Sequence, residues 1–438
     1  MLNFRTCPFW IVFLPLACSP KDRAQTTSPE TLSQNPALTR ELTYYADIKP
    51  ILESNCVNCH RVGGVAPFTL EDANTVLRMH RSIAAATQSR SMPPWMAAEG
   101  CQDYENDRSL ADADIASIAS WSQSGAKLGD PNDYVAPVAR PVGLSRVDRE
   151  MIPSEAYQPK AGTNDYRCLV LDWSDMSTQY ITGVGVVPGR PDIVHHVIAY
   201  RVPPQQLDAV NALDEAEAGP GYTCFGGPLG GGANLPQIAS WAPGSLGRDL
   251  PAGTGLKMEA GSKIVMQVHY NTEHGASAPD QSKLLFKLDE KVAKEAYVLP
   301  FTNPDWVRNH NMPIPAGQKG VKHSYNAPFT NYAAAVTGGQ IPATAPLQIY
   351  SSGLHMHLLG RTTRLQLEHK DSSPTCLLDI PRWDFHWQGS HVLQQSVTVK
   401  PGERLNLECV FDNPSARDVN WGEGTEDEMC VGFVYVSL

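Results

Sequence analysis

From about residue 166 to the C-terminus, short apolar runs alternate with Gly, Pro and Asn turns. The runs are Tyr166–Leu171, Ile193–Val202, Ile264–Tyr270, Ile349–Leu354, Thr363–Leu367, Val392–Val399, Leu405–Phe411 and Val431–Val436. Many short apolar runs bounded by turn residues, with no helical periodicity between them, predict antiparallel strands in sandwich or jelly-roll architecture. Residues 41–130 have a different texture and predict an all-α unit. Tyr44 to Asn55 reads as a helix interrupted by Pro50, and Leu110 to Ser124 as a cleaner one. In the second, Asp112 and Asp114 lie at the positive end of the helix dipole, Gly125 can stop it, and Ile115, Ile118 and Trp121 share a face. Between the two textures, residues 131–160 carry Pro131, Pro137, Pro141, Pro153 and Pro159, the mark of a linker or an extended wrapping segment.

The first forty residues are set apart from the fold. Arg5 supplies a positive start, Cys7 to Ala17 an apolar stretch, and Leu16-Ala17-Cys18-Ser19 resembles a bacterial lipoprotein cleavage site, with Pro15 where an aliphatic residue is usual. The stretch is short and holds Pro8 and Pro15, so a leader fits better than a spanning helix. Lipidation of Cys18, giving a membrane anchor, and ordinary cleavage nearby are the two outcomes it allows. Residues 19–40 are polar and rich in Pro, Thr and Ser, as suits a tether. The expected organisation is therefore a leader (1–18), a tether (19–40), a helical domain (41–130), a linker (131–160) and two β subdomains (161–290 and 291–438). Composition is ordinary for a globular chain of 438 residues, at 42% hydrophobic and 18% charged, and a formal net charge of −11 argues against nucleic acid as a partner.

Export changes the meaning of the ten cysteines. Cys56-Val57-Asn58-Cys59-His60 has the spacing at which two thiols add across haem vinyl groups and the following imidazole ligates the iron. Behind an export signal, and near the start of a unit of cytochrome size, it predicts a covalent haem c. A Cys56–Cys59 disulfide is the competing reading. Met92, in Ser91-Met92-Pro93-Pro94-Trp95, is the chosen sixth ligand, with Met96, Met79 and His80 as competitors. Six further cysteines remain, Cys101, Cys168, Cys224, Cys376, Cys409 and Cys430, an even number that favours disulfides in an oxidising compartment.

The β half holds a second set of soft ligands. His355 and His357 are two apart on a predicted strand and so share a face. His195 and His196 are adjacent and could reach one metal only at a twist, bulge or strand end. Each pair alone is as easily a hydrogen-bonded core pair. Other histidines (His80, His274, His310, His323, His369, His386 and His391) read as surface or core residues, although His310 and His323 could line a cleft. Gly226–Ala233 is Gly-rich but lacks a following Lys-Ser/Thr, so it reads as a mobile loop and not a phosphate cradle.

Four motifs in order, Val194-His195-His196-Val197, Gln267-Val268-His269-Tyr270, His355-Met356-His357-Leu358-Leu359-Gly360 and Asp427-Glu428-Met429-Cys430, resemble the type II copper monooxygenases, the family of peptidylglycine hydroxylating monooxygenase and dopamine β-monooxygenase. The resemblance runs from about residue 160 to the C-terminus. It implies two copper ions: an electron-storing one on His195, His196 and His269, and an oxygen-activating one on His355, His357 and Met429. A thioether favours the cuprous state that must meet O₂. By the same resemblance Gln267 helps carry a hydrogen-bonded route to the second site, Cys409 pairs with Cys430, and Cys168 pairs with Cys224. Cys101 and Cys376 are then left over, a possible staple between the helical block and the second β subdomain.

Departures from the family pattern bear on substrate. Where peptide-amidating members hold a substrate carboxylate, this chain has Gly353, Val431 and Phe433, so that clamp is absent. Trp383-Asp384-Phe385-His386-Trp387-Gln388 and the valine after Cys430 look more like the dopamine β-monooxygenase branch. The sequence thus predicts hydroxylation of a C–H bond in a small, uncharged or aromatic molecule with O₂, outside the cytoplasm, with electrons passing from an external donor through the fused haem. The alternative is a lipoprotein that binds copper and haem for electron transfer alone.

Overall fold

The computed structural model describes residues 40–438, except 65, 106, 139–141, 162–163, 226, 231–234 and 273–277. The leader, Cys18 and the tether lie outside the described residues, as does most of the Gly226–Ala233 stretch.

Helices come first in the chain. Tyr44–Ile48 is a π-helical turn that runs into an α-helix, Lys49–Asn55. Pro50 does not break this element, because it falls in the first turn of the α-helix, where its missing N–H costs nothing. A longer helix, Ala73–Gln88, is capped by Asp72, whose carboxylate accepts from the Asn74 and Thr75 amides. The third, Asp112–Gln123, buries Ile118 and Trp121 and half-buries Ile115, and Gly125 follows at φ +97°. These helices close a small core around Tyr44, Ile48, Leu52, Val76, Ile118 and Trp121.

The rest is β. Seven of the eight apolar runs lie wholly within strands, and the eighth, Ile193–Val202, begins one residue before its strand; the strands include Val194–Val202, Lys263–Asn271, Leu347–His355 and Val431–Ser437. In the first half, Val194–Val202 pairs with Lys263–Asn271, which pairs in turn with Asn164–Asp172. Facing them, Gln179–Val187 pairs with Lys283–Asp289 and Thr254–Met258, and Ile181, Val197, Met258, Met266 and Phe286 fill the space between. In the second half, Leu347–His355 lies between Ser390–Val399 and Val431–Ser437. A four-stranded sheet (Val321–Pro328, Arg404–Phe411, Gly360–Glu368, Thr375–Ile380) packs over them on a core that includes Leu365, Leu407 and Phe411.

The two halves are not independent sandwiches. Lys294–Phe301 pairs antiparallel with Val431–Ser437 and parallel with Thr254–Met258, so one sheet runs through both. Residues 144–157 wrap the first half: Arg149–Met151 adds to Lys283–Asp289, and Tyr157 bridges to Asp280. The helical block is likewise held to the second half. Tyr104 pairs with Leu393, the Ala98 amide donates to Asp379 O (2.8 Å), and Cys101 is bonded to Cys376. Cys168–Cys224 and Cys409–Cys430 are the other disulfides. Three such bonds are the chemistry of an oxidising compartment. Among the described residues no helix is long and apolar enough to cross a membrane.

Candidate metal centres and haem motif

The first histidine cluster is made by a register slip. Val194 stands opposite Tyr270, yet His196 stands opposite His269, so His195 is the extra residue of a β-bulge. The bulge turns two adjacent imidazoles toward one point. The potential ligand atoms of His195, His196 and His269 lie within 4.8 Å of one another. The Nδ1 atoms converge: His195 to His196 at 3.2 Å and His269 to His196 at 3.4 Å. On the far side of its ring, His269 Nε2 lies 2.9 Å from Asn164 Oδ1. An amide oxygen can only accept, so Nε2 carries the proton and the Nδ1 lone pair is left free for a metal. Tyr166 stacks on the His269 ring at 4.1 Å and fixes its plane. Burial is the main force that keeps these imidazoles neutral, taking His195 down to about 4 and His269 to about 2, with neighbouring imidazoles adding to it. Three neutral nitrogens with their lone pairs free suit a copper ion in either oxidation state.

The second cluster uses the opposite ring atom. His355 ends its strand, and His357, itself buried, follows just before a turn, the rings 5.0 Å apart. His355 Nδ1 donates to Gln388 Oε1 (2.5 Å) and His357 Nδ1 to the Asp427 carbonyl (3.0 Å), which leaves both Nε2 atoms as the ligands. Between them Met356 is fully buried, and the Trp383 indole donates to His357 O (3.0 Å). The fully buried Glu428 carboxylate accepts from the backbone amides of His357 and Leu359 and so ties this turn to the segment carrying Met429. Burial pushes Glu428 up to about 7, although these donors pull the other way. The ladder ends at His355 and Val431, and Asp427 and Glu428 both bond to His357, so Met429 lies on the short segment between these contacts. Met429 is buried, and Cys430 beside it is anchored to Cys409. Two imidazoles, with a thioether on the adjoining segment, are a donor set that suits a cuprous ion.

One phenyl ring lies against both clusters. Phe385 stacks on His195 at 5.0 Å and meets His357 edge-on at 5.9 Å. Gln267 is directed elsewhere: among the described residues its amide bonds to Cys224 O (3.0 Å) and Cys224 Sγ (3.6 Å), with no contact leading to His355 or His357. His310 Nδ1 is engaged with Trp421 O and His323 Nε2 with Pro313 O.

In the helical block Cys56 and Cys59 are unbonded thiols, so the competing disulfide is not formed. Burial holds Cys56 up at about 12 and raises Cys59 as well. His60 Nδ1 is 3.1 Å from Phe68 O, which places the proton there and frees Nε2. Two neutral thiols and a pre-oriented imidazole fit a covalent haem. Met92 lines a cavity of about 320 Å³ with Thr87, Trp95, Tyr104, Leu110 and Ile115, but Cys56, Cys59 and His60 are not among its walls. Of the competitors, His80 is bonded to Ser122 (2.8 Å), Met79 packs into the helical core, and the Met96 sulfur accepts from the Asp384 amide (3.2 Å).

Several residues that shape these sites were invisible or only half visible in the sequence. Phe385 and Gln388 stand in the Trp383–Gln388 motif and Glu428 beside Met429, but no pattern pointed to their roles. Nothing marked Asn164 or Tyr166, which reach His269 only through strand pairing.

Known proteins are similar to part of this chain at low identity. The human DBH-like monooxygenase protein 1 is 22% identical over 261 residues, 56% of this chain and 39% of the relative. The chicken protein of the same description is 25% identical over 264 residues, again covering 56% and 39%. The tyramine beta-hydroxylase of Caenorhabditis briggsae is 25% identical over 269 residues, 57% of this chain and 40% of that one. The chain thus spans well under half the length of these relatives. Residues 308–436, which carry His355, His357 and Met429, match the family model of the copper type II ascorbate-dependent monooxygenase C-terminal domain.

Proposed function

We propose that this chain is an extracytoplasmic, copper-dependent monooxygenase that hydroxylates a C–H bond of a small organic substrate with O₂ and takes its electrons through a haem c on the same chain. The observation that carries this reading is the pair of unlike histidine clusters meeting at Phe385, one presenting Nδ1 atoms and the other Nε2 atoms. A storage or carrier protein has no need of two different ligand sets.

His195, His196 and His269 would hold one copper, His355, His357 and Met429 the other, and Cys56, Cys59 and His60 the haem. When bound, the coppers supply one-electron redox chemistry and O₂ activation, and the haem supplies electrons. The protein's own part is orientation. Asn164, Gln388 and the Asp427 carbonyl fix which imidazole nitrogen is free, and Glu428 holds the His357 turn to the Met429 segment. Phe385 offers an apolar wall between the centres. Gly353 and Phe433 are cross-strand neighbours, and neither carries a charge that could hold a carboxylate. That supports an uncharged or aromatic substrate. Met92 remains the proposed sixth haem ligand, an external donor would reduce the haem, and Cys18 would carry a lipid anchor.

Metal and haem analysis of the exported protein tests the reading. It requires two coppers and one haem per chain, and a sulfur scatterer at cuprous copper by X-ray absorption that disappears in Met429→Ile. A single copper, or no sulfur signal, would contradict it.

A further inference from the structure

We infer that the loop Trp383–Gln388 is the electronic contact between the helical block and the copper centres, with Trp387 and Gln388 leading into His355. This rests on the reading above that haem c and copper are bound.

The loop is where the helical block meets the histidine clusters. Arg108 follows the segment bonded through Cys101, and its guanidinium donates to Gly244 O (3.3 Å). A Cβ on Gly244 would have Arg108 Nη1 at 3.4 Å and the Trp387 ring at 3.6 Å, so the two side chains share one face of this glycine. Arg108 and Cys59 lie within electrostatic reach of one another, so the same guanidinium faces both the Trp387 side of Gly244 and the Cys56–His60 motif. It makes no ion pair within 4.0 Å among the described residues. An uncompensated guanidinium beside a haem-attachment cysteine is a natural partner for the porphyrin's carboxylates. Arg108 would then be the residue shared by the haem and the face of Gly244 that carries Trp387.

Beyond Trp387 the path is bonded. Gln388 is the next residue, and its Oε1 accepts from His355 Nδ1. The loop is braced by Trp387 N–H to Asp384 O (3.1 Å) and Gln388 Nε2 to Phe385 O (2.9 Å). A second branch exists: Met96 holds Asp384, and Phe385 beyond it stacks on His195. That branch ends in a ring-to-ring gap, whereas the Gln388 branch ends in a short hydrogen bond to a ligand. The bonded branch couples better, so the His355 centre receives the electron first. One electron leaves ferrous haem, which becomes ferric, and one cupric ion becomes cuprous; no proton or leaving group is required.

The test is flash photoreduction of the haem in the oxidised holoprotein, its haem and copper content measured beforehand. Haem reoxidation is followed optically, and rapid-freeze paramagnetic resonance reports which copper becomes cuprous. Trp387→Leu is expected to slow reoxidation at least about tenfold with haem potential and copper content unchanged, and Trp387→Phe to restore most of the rate. The fast phase is expected to survive His269→Ala and to vanish in His357→Ala, the remaining copper of each variant reporting that it is folded. Indifference to Trp387→Leu, or a fast phase lost in His269→Ala and kept in His357→Ala, overturns the inference while leaving haem and copper binding intact. A purified protein without haem overturns both.

Discussion

Single side chains decide which nitrogen each histidine offers. Asn164 is the clearest case, because its amide oxygen sets the His269 tautomer from a neighbouring strand. Replacing it with alanine is expected to weaken copper at His195/His196/His269 by about 10–100-fold, the usual cost of losing such an orienting partner. Asn164→Asp, which keeps an acceptor, should recover most of that. Competitive titration of copper with a chelator measures both, and an unchanged affinity in Asn164→Ala would show that the tautomer is set elsewhere. Much of the residue scale was legible in the sequence: the ligands stand in recognisable motifs, and the need for a bulge at His195-His196 follows from the two-residue period of a strand. Asn164, Tyr166 and Phe385 were not legible, because they approach the clusters through tertiary contacts that no local pattern encodes.

At the scale of elements, the turn after His355 is built around a glycine with no room for a side chain. A Cβ on Gly360 would lie 2.7 Å from Met356 Cε, 3.0 Å from Met356 Cβ and 2.8 Å from the Trp383 ring. Both neighbours are buried, so neither can give way cheaply. Gly360→Ala should destabilise the fold by about 1–3 kcal/mol, in the range for an overpacked core. It should also loosen the His355/His357 copper more than the other, as equilibrium unfolding and copper retention would show. A second element is the stretch around Cys101, which lies along the second β half. The Cys101–Cys376 bond closes a sequence separation of 275 residues. Removing both cysteines is expected to cost about 2–4 kcal/mol, measured by denaturant unfolding. Tyr104–Leu393 pairing and the Gln102 bond to Cys376 O should keep the stretch in place after that loss. The strands were readable because their apolar runs are buried on a pleat. The helix Ala73–Gln88 was not singled out, since its apolar face is diluted by Asn74, Thr75, Arg78, His80 and Arg81. Lys294–Phe301 lacks a clean apolar alternation, and its role in joining the two halves is set by its partners.

Across the whole molecule, buried histidines tie stability to pH. Burial, aided by Arg108 and Arg248, takes His391 down to about 4, and burial likewise lowers His195, His269 and His357. An unfolded imidazole titrates near 6.5, as the ordinary value for the side chain. Below that pH the unfolded chain binds protons that the folded one refuses, so stability must fall as pH falls. The metal-free protein is expected to lose stability as pH falls below about 6.5, the four lowered histidines outweighing the single raised carboxyl of Glu428, whose effect over this window has the opposite sign. Copper should shift that loss to lower pH, because it stabilises the neutral rings. Thermal unfolding of the two forms across this range checks the sign; a metal-free protein that gains stability on acidification contradicts it.

The molecule-wide arrangement is also where the functional reading is most exposed. Two unlike histidine clusters share the Phe385 ring, and the helical block is stapled beside the loop that carries it. If that arrangement serves oxygenation, the reduced, copper-loaded protein given isotopically labelled O₂ and a panel of small uncharged aromatic compounds will consume O₂ only when one of them is present. Label will then appear in a hydroxylated product, and both will be lost in Met429→Ile. Uptake of O₂ that no compound alters, with no label in any product, would contradict the account and leave an electron-transfer protein in its place.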